Sequence, residues 1–318
     1  MRIAVLGHSQ IHVRQQMFFQ QVAALGHDVL VIAPGQWNEL RVKPYQKGRF
    51  KLETCRHLGG NIGRFKLLGA FEFLRDFSPD WIYVQQEPGS ELAQDSVFWK
   101  DKLNTKLALF TWENLHAPAP IAQSVLQECD LVICGNDDAE RLVKAFAPRT
   151  KIMLQVGVDT DHFQARPDVP RDTSVGFVGR PVDEKGITKL KLAWPTAKIL
   201  PWWDWRQLPW AYSTVRVIVA YSQDTPYWRE QAPPYVAVEA MACECAVVAS
   251  DAGSIPFWLD GCSGASVVPQ NDTLKLRETI RIALDNWEAR GKVGRSWVHE
   301  KMSSPIVAKE LIRCLENL

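Results

Sequence analysis

The sequence predicts an α/β protein built from two doubly wound domains, and three observations carry that prediction. At 318 residues the chain is too long for one ordinary core and about right for two. Apolar runs of strand length alternate with longer amphipathic segments, the pattern of parallel sheets covered by helices. The alternation stops in "DTDHFQARPDVPRDT" (159–173), a polar, proline-bearing linker, and then restarts.

Each element follows in order. "RIAVLGH" (2–8) is a buried strand, "VRQQMFFQQVAALG" (13–26) a helix stopped by Gly26, and "HDVLVIAP" (27–34) the next strand. The polar stretch from Arg41 to Lys66 reads as a solvated loop. "LLGAFEFLRDFSPD" is helical, "WIYVQQ" (81–86) a strand, "ELAQDSVFWKDKLN" a helix and "KLALFTW" (106–112) a strand. "APIAQSVLQEC" is a helix, "DLVICGN" a strand and "DDAERLVKAFA" a helix with Asp137 as its cap; "KIMLQVGV" closes this half. After the linker come "SVGFVGRP" (174–181), the strand "STVRVIVAYS" (213–222), and a helix–strand unit over 239–249. "SGASVVP" is a short strand, "DTLKLRETIRIALDNWEAR" one amphipathic helix, and "PIVAKELIRCLENL" a last helix. Such sheets take ligands at the carboxyl ends of their strands, here in the cleft between domains.

Composition narrows the class. Apolar residues make up 46% and charged residues 23%, as in ordinary globular proteins. The formal net charge of +1 supplies no global field for nucleic acid. "MRIAVLGHS" opens as a strand rather than a signal peptide, and no apolar run approaches the ~20 residues of a membrane span. The seven scattered cysteines fit free thiols in a reducing cytoplasm, and Cys243 with Cys245 lacks metal-site spacing.

Several groups are candidates for chemistry. "FVGRPVDEKG" (177–186) puts Arg180 just beyond a strand with Lys185 five residues on. On spacing alone this is either a diphosphate clamp or a solvated turn in which Asp183 and Glu184 pair the cations. Glu239 falls at or near the first turn of its helix. Its carboxylate either caps that helix or accepts two hydrogen bonds from a ribose diol, with a phosphate on the free N–H groups nearby. Trp202, Trp203 and Trp205 either stack on a sugar or base or fill space. Between residues 41 and 66 the cations Arg41, Lys43, Lys47, Arg49, Lys51, Arg56, Arg64 and Lys66 face one acid, Glu53. The alternative to a solvated loop there is contact with an anionic lipid surface or a polyanionic acceptor.

"GRPVDEKG" followed by "VAVEAMACECAVVASDAGSIP" resembles the retaining GT-B glycosyltransferases of the family-four type, or glycosyl transferases group 1. These carry G-R-x-x-x-x-K-G and a Glu-x7-Glu segment running into E-A-M-A-C-G-x-P-V-V-A-S-D. "QVGVDTDHF" resembles the family's NGVDxxxF segment, and "QQEPGS" and "LFTWENL" resemble a subgroup's EEP-S and FTW-N segments. The resemblance implies a GT-B fold of two Rossmann-like domains facing a cleft: 1–165 on the acceptor side, 166–295 binding the nucleotide sugar in shortened form, and a helix over 296–318 packing back on the first.

By the same resemblance, Arg180 and Lys185 hold and stabilise the donor diphosphate. Glu239 binds ribose, with Gly179, Glu230, Tyr235 and Val236 also on the donor side. The family moves a sugar from a nucleoside diphosphate sugar to an acceptor hydroxyl with retention, needing neither metal nor cofactor because the cations and helix dipole neutralise the leaving group. The departures are specific. Gln231 stands where the family has its first Glu, with Glu230 one position out of register, "ECA" replaces Gly-x-Pro, and Phe257 replaces an acid. The N-terminal "GG" loop is "GHSQIHVRQQ", bringing His8 and His12, and the family's catalytic-side His has no match, Glu113 and Asn114 occupying that segment with His116 nearby. The expectation is a cytoplasmic, metal-independent hexosyltransferase, peripheral on an anionic membrane through 41–66, with no nucleic-acid partner. Its acceptor is a glycan, a lipid-linked molecule or a small molecule. The rivals are a degenerate GT-B protein that binds a nucleotide sugar without turnover and a nucleotide-sugar epimerase.

Overall fold

A computed structural model describes residues 1–200, 204–232 and 234–317. They form two compact units, Met1–Gly157 with Ser304–Leu318, and Val158–Ser303. The breaks therefore fall at 157/158 and 303/304, not at 165/166 and 295/296.

In the first unit the order is β1 (Arg2–Leu6), α1 (Val13–Ala24), β2 (Asp28–Pro34), β3 (Gln36–Trp37), β4 (Leu40–Arg41), β5 (Tyr45–Lys47), β6 (Phe50–Asn61), β7 (Arg64–Leu68) and α2 (Ala70–Phe77). There follow β8 (Trp81–Gln85), α3 (Glu91–Leu103), β9 (Lys106–Thr111), α4 (Pro120–Glu128), β10 (Leu131–Cys134), α5 (Asp137–Val143) and β11 (Thr150–Ile152). Among the described residues the main sheet runs β11-β10-β9-β8-β1-β2-β6-β5, with β7 on β6. Its central pairs are parallel, and β5 and β7 pair antiparallel to β6. Strands β1, β2 and β8 are nearly continuous apolar runs because helices cover both their faces.

The stretch from Arg41 to Lys66 is a strand system, not a loop. Phe50, Leu52, Phe65 and Leu67 alternate inward while Lys51, Arg64 and Lys66 alternate outward, the period-two pattern of a half-buried sheet. Asn136, not Asp137, caps α5, its side chain accepting from Ala139 N at 2.6 Å.

The second unit runs β12 (Thr173–Phe177), α6 (Ile187–Ala193), β13 (Lys198–Ile199), α7 (Leu208–Ser213), β14 (Val215–Ala220), α8 (Tyr235–Ala242), β15 (Ala246–Ser250), α9 (Ile255–Leu259), β16 (Ala265–Val268), α10 (Thr273–Asp285) and α11 (Trp287–Lys301). Its sheet, β13-β12-β14-β15-β16, is parallel throughout. The amphipathic segment expected as one helix is two, because α10 ends where Asn286 leaves helical geometry before α11 begins.

The last helix, α12 (Ser304–Glu316), belongs to the first unit and packs on α1. Val307, Ala308, Leu311 and Leu315 recur at helical spacing and are buried there. Leu311 is wholly buried, so Leu311→Ala should cost about 2–5 kcal/mol through lost transfer energy and a residual cavity. Denaturant unfolding followed by the exposure of α1 to limited proteolysis checks this; an unchanged midpoint would mean that α12 is an appendage.

Candidate functional site

The candidate site of the second unit is assembled by loops leaving the carboxyl ends of β12, β14 and β15. Gly179 follows β12 at φ 138°, a left-handed-side conformation that favours glycine, and precedes exposed Arg180. The loop continues through a single 3₁₀ turn, Asp183–Lys185, to Gly186 at φ 70°. A β-carbon on Gly186 would stand 1.9 Å from Tyr221 O, so only glycine lets this loop rest on the end of β14. Glu184 O accepts from Gln223 N at 2.8 Å and closes the same junction.

That junction places Lys185. Its Nζ donates to both oxygens of Glu230, at 2.7 and 3.0 Å, and lies 4.7 Å from the centre of the Trp228 ring. Ser222 Oγ donates to Glu230 Oε2 at 2.6 Å, and the Glu230 carbonyl accepts from Ser254 N and Oγ at 3.0 and 3.2 Å. Ion pair, hydroxyl and ring together fix the ammonium in a partly desolvated position. Lys185 retains a third N–H for a ligand. The expected pairing of the cations by Asp183 and Glu184 is not what holds Lys185; Glu230, forty-five positions away, does.

Glu239 is not in the first turn of its helix. Helix α8 begins at Tyr235 behind Pro234, which puts Glu239 in the second turn and leaves the first turn without an acid. It is buried at 2% exposure, and Tyr212 Oη lies 3.3 Å from its Oε2. Helical side chains lean toward the N-terminus, so the carboxylate still tilts toward the start of α8. Gln231, Tyr235 and Val236 are half-buried around that start. Arg180 is exposed.

Trp202 and Trp203 lie outside the described residues. Trp205 stacks on His162 at 3.6 Å between ring centres and meets Phe163 edge-on, so it fills space against the "DTDHF" segment. The seven cysteines are unpaired thiols. Burial pushes Cys55, Cys129 and Cys134 up to about 12 and Cys245 to about 11, which leaves them unreactive. Among the described residues no group of three or more His, Cys, Asp or Glu side chains is arranged to hold a metal ion.

In the first unit, His8 begins a 3₁₀ turn after β1, and its Nδ1 lies 2.9 Å from Gln86 Oε1. Its ring meets Trp37 at 5.8 Å and Phe65 at 6.3 Å, and Trp37 in turn meets His57 at 4.9 Å. Burial lowers the His8 pKa; His12 is lowered by desolvation and by the charges of His8 and Arg14. Glu113 turns inward on its own loop: its Oε1 accepts from Leu115 N at 2.8 Å and His116 N at 3.0 Å. Asn114 is buried beside it. The acid that organises this edge is Glu87 in "QQEPGS", which accepts from Thr111 Oγ1 at 2.5 Å and Trp112 N at 2.9 Å, with its pKa raised by desolvation. Sequence reasoning reaches that segment but misses the acid, along with Ser222, Trp228 and the Trp37–His57 pair, because each works through a partner on another element.

Residues 136–286 match the family model of the glycosyl transferases group 1. The fold of the whole chain matches the sucrose-phosphate synthase of Thermosynechococcus elongatus at a TM-score of 0.74 and 16% identity, covering 100% of this chain and 98% of that one. It matches the Anabaena protein HepE in complex with UDP at 0.74 and 14%, covering 100% of both. A glycosyltransferase from Rickettsia africae matches at 0.75 and 12%, with 99% and 98% covered. No curated protein matches the chain. The chain therefore has the two-unit GT-B fold of these proteins.

The lowered His8 fixes a pH dependence. The folded state holds this ring neutral while the unfolded chain binds a proton near pH 6.5, so the unfolded state takes up more protons as pH falls below that value and stability is lost. His8→Gln should therefore flatten the fall in stability between about pH 6.5 and 5. Chemical denaturation at stepped pH measures the slope, and identical slopes for parent and variant would contradict the burial of a neutral ring.

Proposed function

We propose that the protein transfers a sugar from a nucleoside diphosphate sugar to an acceptor hydroxyl, with retention at the anomeric carbon and without a metal, in the cytoplasm. The observation that carries this reading is the ammonium of Lys185, preorganised by Glu230, Ser222 and Trp228 at the carboxyl ends of a parallel sheet. A fixed cation in a partly desolvated position stabilises charge that develops on a departing diphosphate at little reorganisation cost. Arg180, earlier on the same loop and next to Gly179, supplies a second cation that a bound diphosphate would draw in. Glu239 takes the ribose hydroxyls, with Gly179, Tyr235 and Val236 lining the nucleotide. Support for this donor comes from HepE, whose structures hold UDP and UDP-glucose.

In the transfer the bond between the anomeric carbon and the diphosphate oxygen breaks as the acceptor oxygen bonds to the same face. The acceptor proton leaves with the diphosphate. Gln231 contacts sugar hydroxyls as an amide, and Glu230, committed to Lys185, tunes the cation instead of touching sugar. His8, on the edge of the first unit with Trp37 and His57, lies on the acceptor side of the reading. Replacing Arg180 or Lys185 by Ala should slow transfer by about 100-fold or more, the scale for one preorganised charge donor, while chelator leaves the rate intact. Glu230→Gln should weaken donor binding by loosening Lys185, whereas Gln231→Glu should raise turnover with a hexose donor. Unchanged kinetics for both cation variants, or hydrolysis and transfer absent with every donor, would move the protein to the binding-only reading. A nucleotide-sugar product without acceptor would make it an epimerase.

The membrane partner rests on the β6–β7 hairpin. Arg41, Lys43, Arg56 and Arg64 are exposed and have no ion pair among the described residues, whereas Arg49, Lys51 and Lys66 are paired with Asp28, Glu53 and Asp95. Leu58 and Ile62 are exposed at 58% and 47% on the hairpin between Arg56 and Arg64, an apolar tip flanked by these two cations. Phosphatidylserine vesicles should float the protein at low salt and release it at high salt, since each cation near such a surface adds about 1 kcal/mol. Leu58→Ser with Arg56→Ser should abolish flotation; absence of binding by the parent at low salt would return this face to solvent.

A further inference from the structure

A cavity in the second unit lies at the opposite end of the sheet from the candidate donor residues. It has a volume of about 760 Å³, and its walls carry Arg166, Arg171, Arg216, Arg295, Trp287 and two acids, Glu244 and Glu288. Arg171 precedes β12, Arg216 is the second residue of β14 and Glu244 precedes β15, so the cavity opens at the amino ends of three neighbouring strands. Arg180, Lys185 and Glu230 follow the carboxyl ends. At ~3.3 Å per residue, strands of five or six residues separate the two places by about 15–20 Å.

Two of the four guanidinium groups are committed to the fold. Arg171 donates to Val215 O and Cys243 O, each at 2.5 Å, and to Tyr212 O at 3.3 Å, with Trp287 5.2 Å beneath it. Arg295 donates to Ala242 O at 2.7 Å. Carbonyl oxygens satisfy these donors but leave the charges in place. The other two arginines have donors to spare. Arg216 spends Nε on Arg171 O at 2.9 Å and keeps both Nη groups, and the exposed guanidinium of Arg166 has no hydrogen bond or ion pair among the described residues. Glu244 approaches Arg295 at 3.8 Å, beyond hydrogen-bond distance. Four cations and two acids leave the lining with a net charge of 4 − 2 = +2.

Glu244 adds a polar group of the opposite sign. It sits at φ 60°, a conformation that costs a non-glycine residue about 1 kcal/mol or more, at the position where the resembled motif has glycine. Its carboxylate lies 3.8 Å from Arg295 Nε, where it can accept from a hydroxyl while the arginines take an anion. An apolar wall, a hydroxyl acceptor and unspent guanidinium donors suit a small organic phosphate, and the volume is within the ~300–1,000 Å³ of small-molecule sites.

We propose that this cavity binds a phosphorylated small molecule, through Arg216 and Arg166, at a site separate from that of the donor. Arg171 and Arg295 hold the carbonyls that end α8, the helix that begins at Tyr235, so a ligand here would bear on the donor helix from its far end.

The test uses pyrophosphate as the probe, by calorimetric titration at constant ionic strength in chloride, on the full chain carrying Lys185→Ala to weaken the donor side. One saturable site should remain. Adding Arg166→Gln, whose parent side chain makes no structural bond, together with Arg216→Lys, which keeps the charge and loses the fork, should weaken it by about tenfold or more. Matching thermal midpoints in buffer alone exclude a folding defect. No saturable binding in the Lys185→Ala background, or the same affinity with and without the two arginine changes, would overturn the proposal. Either result leaves the donor reading to its own kinetic test.

Discussion

Where Gly186 rests on the carbonyl of Tyr221 there is no room for a side chain, and the second unit's candidate site is organised by that contact. A β-carbon at 1.9 Å from a backbone oxygen cannot be relieved by a rotamer change, because neither partner is a side chain. The contact presses the loop after β12 onto the end of β14. Lys185, one residue earlier, is thereby delivered to Glu230, and Glu184 O to Gln223 N. Gly253 repeats the device on the other side. Its β-carbon would stand 2.2 Å from Glu230 O, so the loop after β15 closes on the same acid. Two glycines thus bring three strand ends together, and the ion pair is a consequence of backbone packing.

That order of causes decides how the pair should be valued. A partly exposed Lys–Glu pair contributes little to stability by itself, on the order of 0–1 kcal/mol. Here the side chains are 26% and 10% exposed, and Ser222 adds a hydrogen bond, so the arrangement sits between a surface pair and a buried one. Its value lies in orientation. The ammonium cannot follow the acid away, because the Glu230 backbone is itself held by Ser254 and the Glu230 carboxylate by Ser222.

Much of the architecture is legible in the sequence because the signals are local. The apolar runs of β1, β2, β8, β9, β14 and β15 mark buried strands, and the glycines of 179–186 mark the loop that leaves β12. What the sequence hides has its cause at a distance. In the stretch 41–66 the inward residues Phe50, Leu52 and Phe65 are outnumbered by outward cations and by glycines near the turn, so composition masks a period of two that only the pairing with β2 completes. The run of small residues begins at Glu239 and suggests a helix start there. Pro234 allows helix geometry from Tyr235, and the carboxylate lands one turn deeper. The Lys185–Glu230 pair and the Glu87–Thr111 bond join residues far apart in sequence, and no spacing rule reaches them.

Glu230 and Gln231 show how one step of register changes electrostatics under the proposed reading. An acid facing the sugar would place a negative charge near the developing positive charge at the anomeric carbon, while an amide offers only a dipole. In this chain the negative charge has moved one residue back along the backbone and points at Lys185. The Coulomb energy between unit charges falls only as the inverse of distance, so the acid still contributes to the field at the sugar, though part of that field is cancelled by the ammonium it binds. The same cancellation reduces the attraction of Lys185 for a diphosphate in the empty site. A donor then gains most from the cation that is not already neutralised, Arg180, which is exposed beside Gly179. The two cations therefore differ in what they bring to a diphosphate. Lys185 offers a fixed position at reduced charge, and Arg180 offers a full charge whose position the ligand itself must fix.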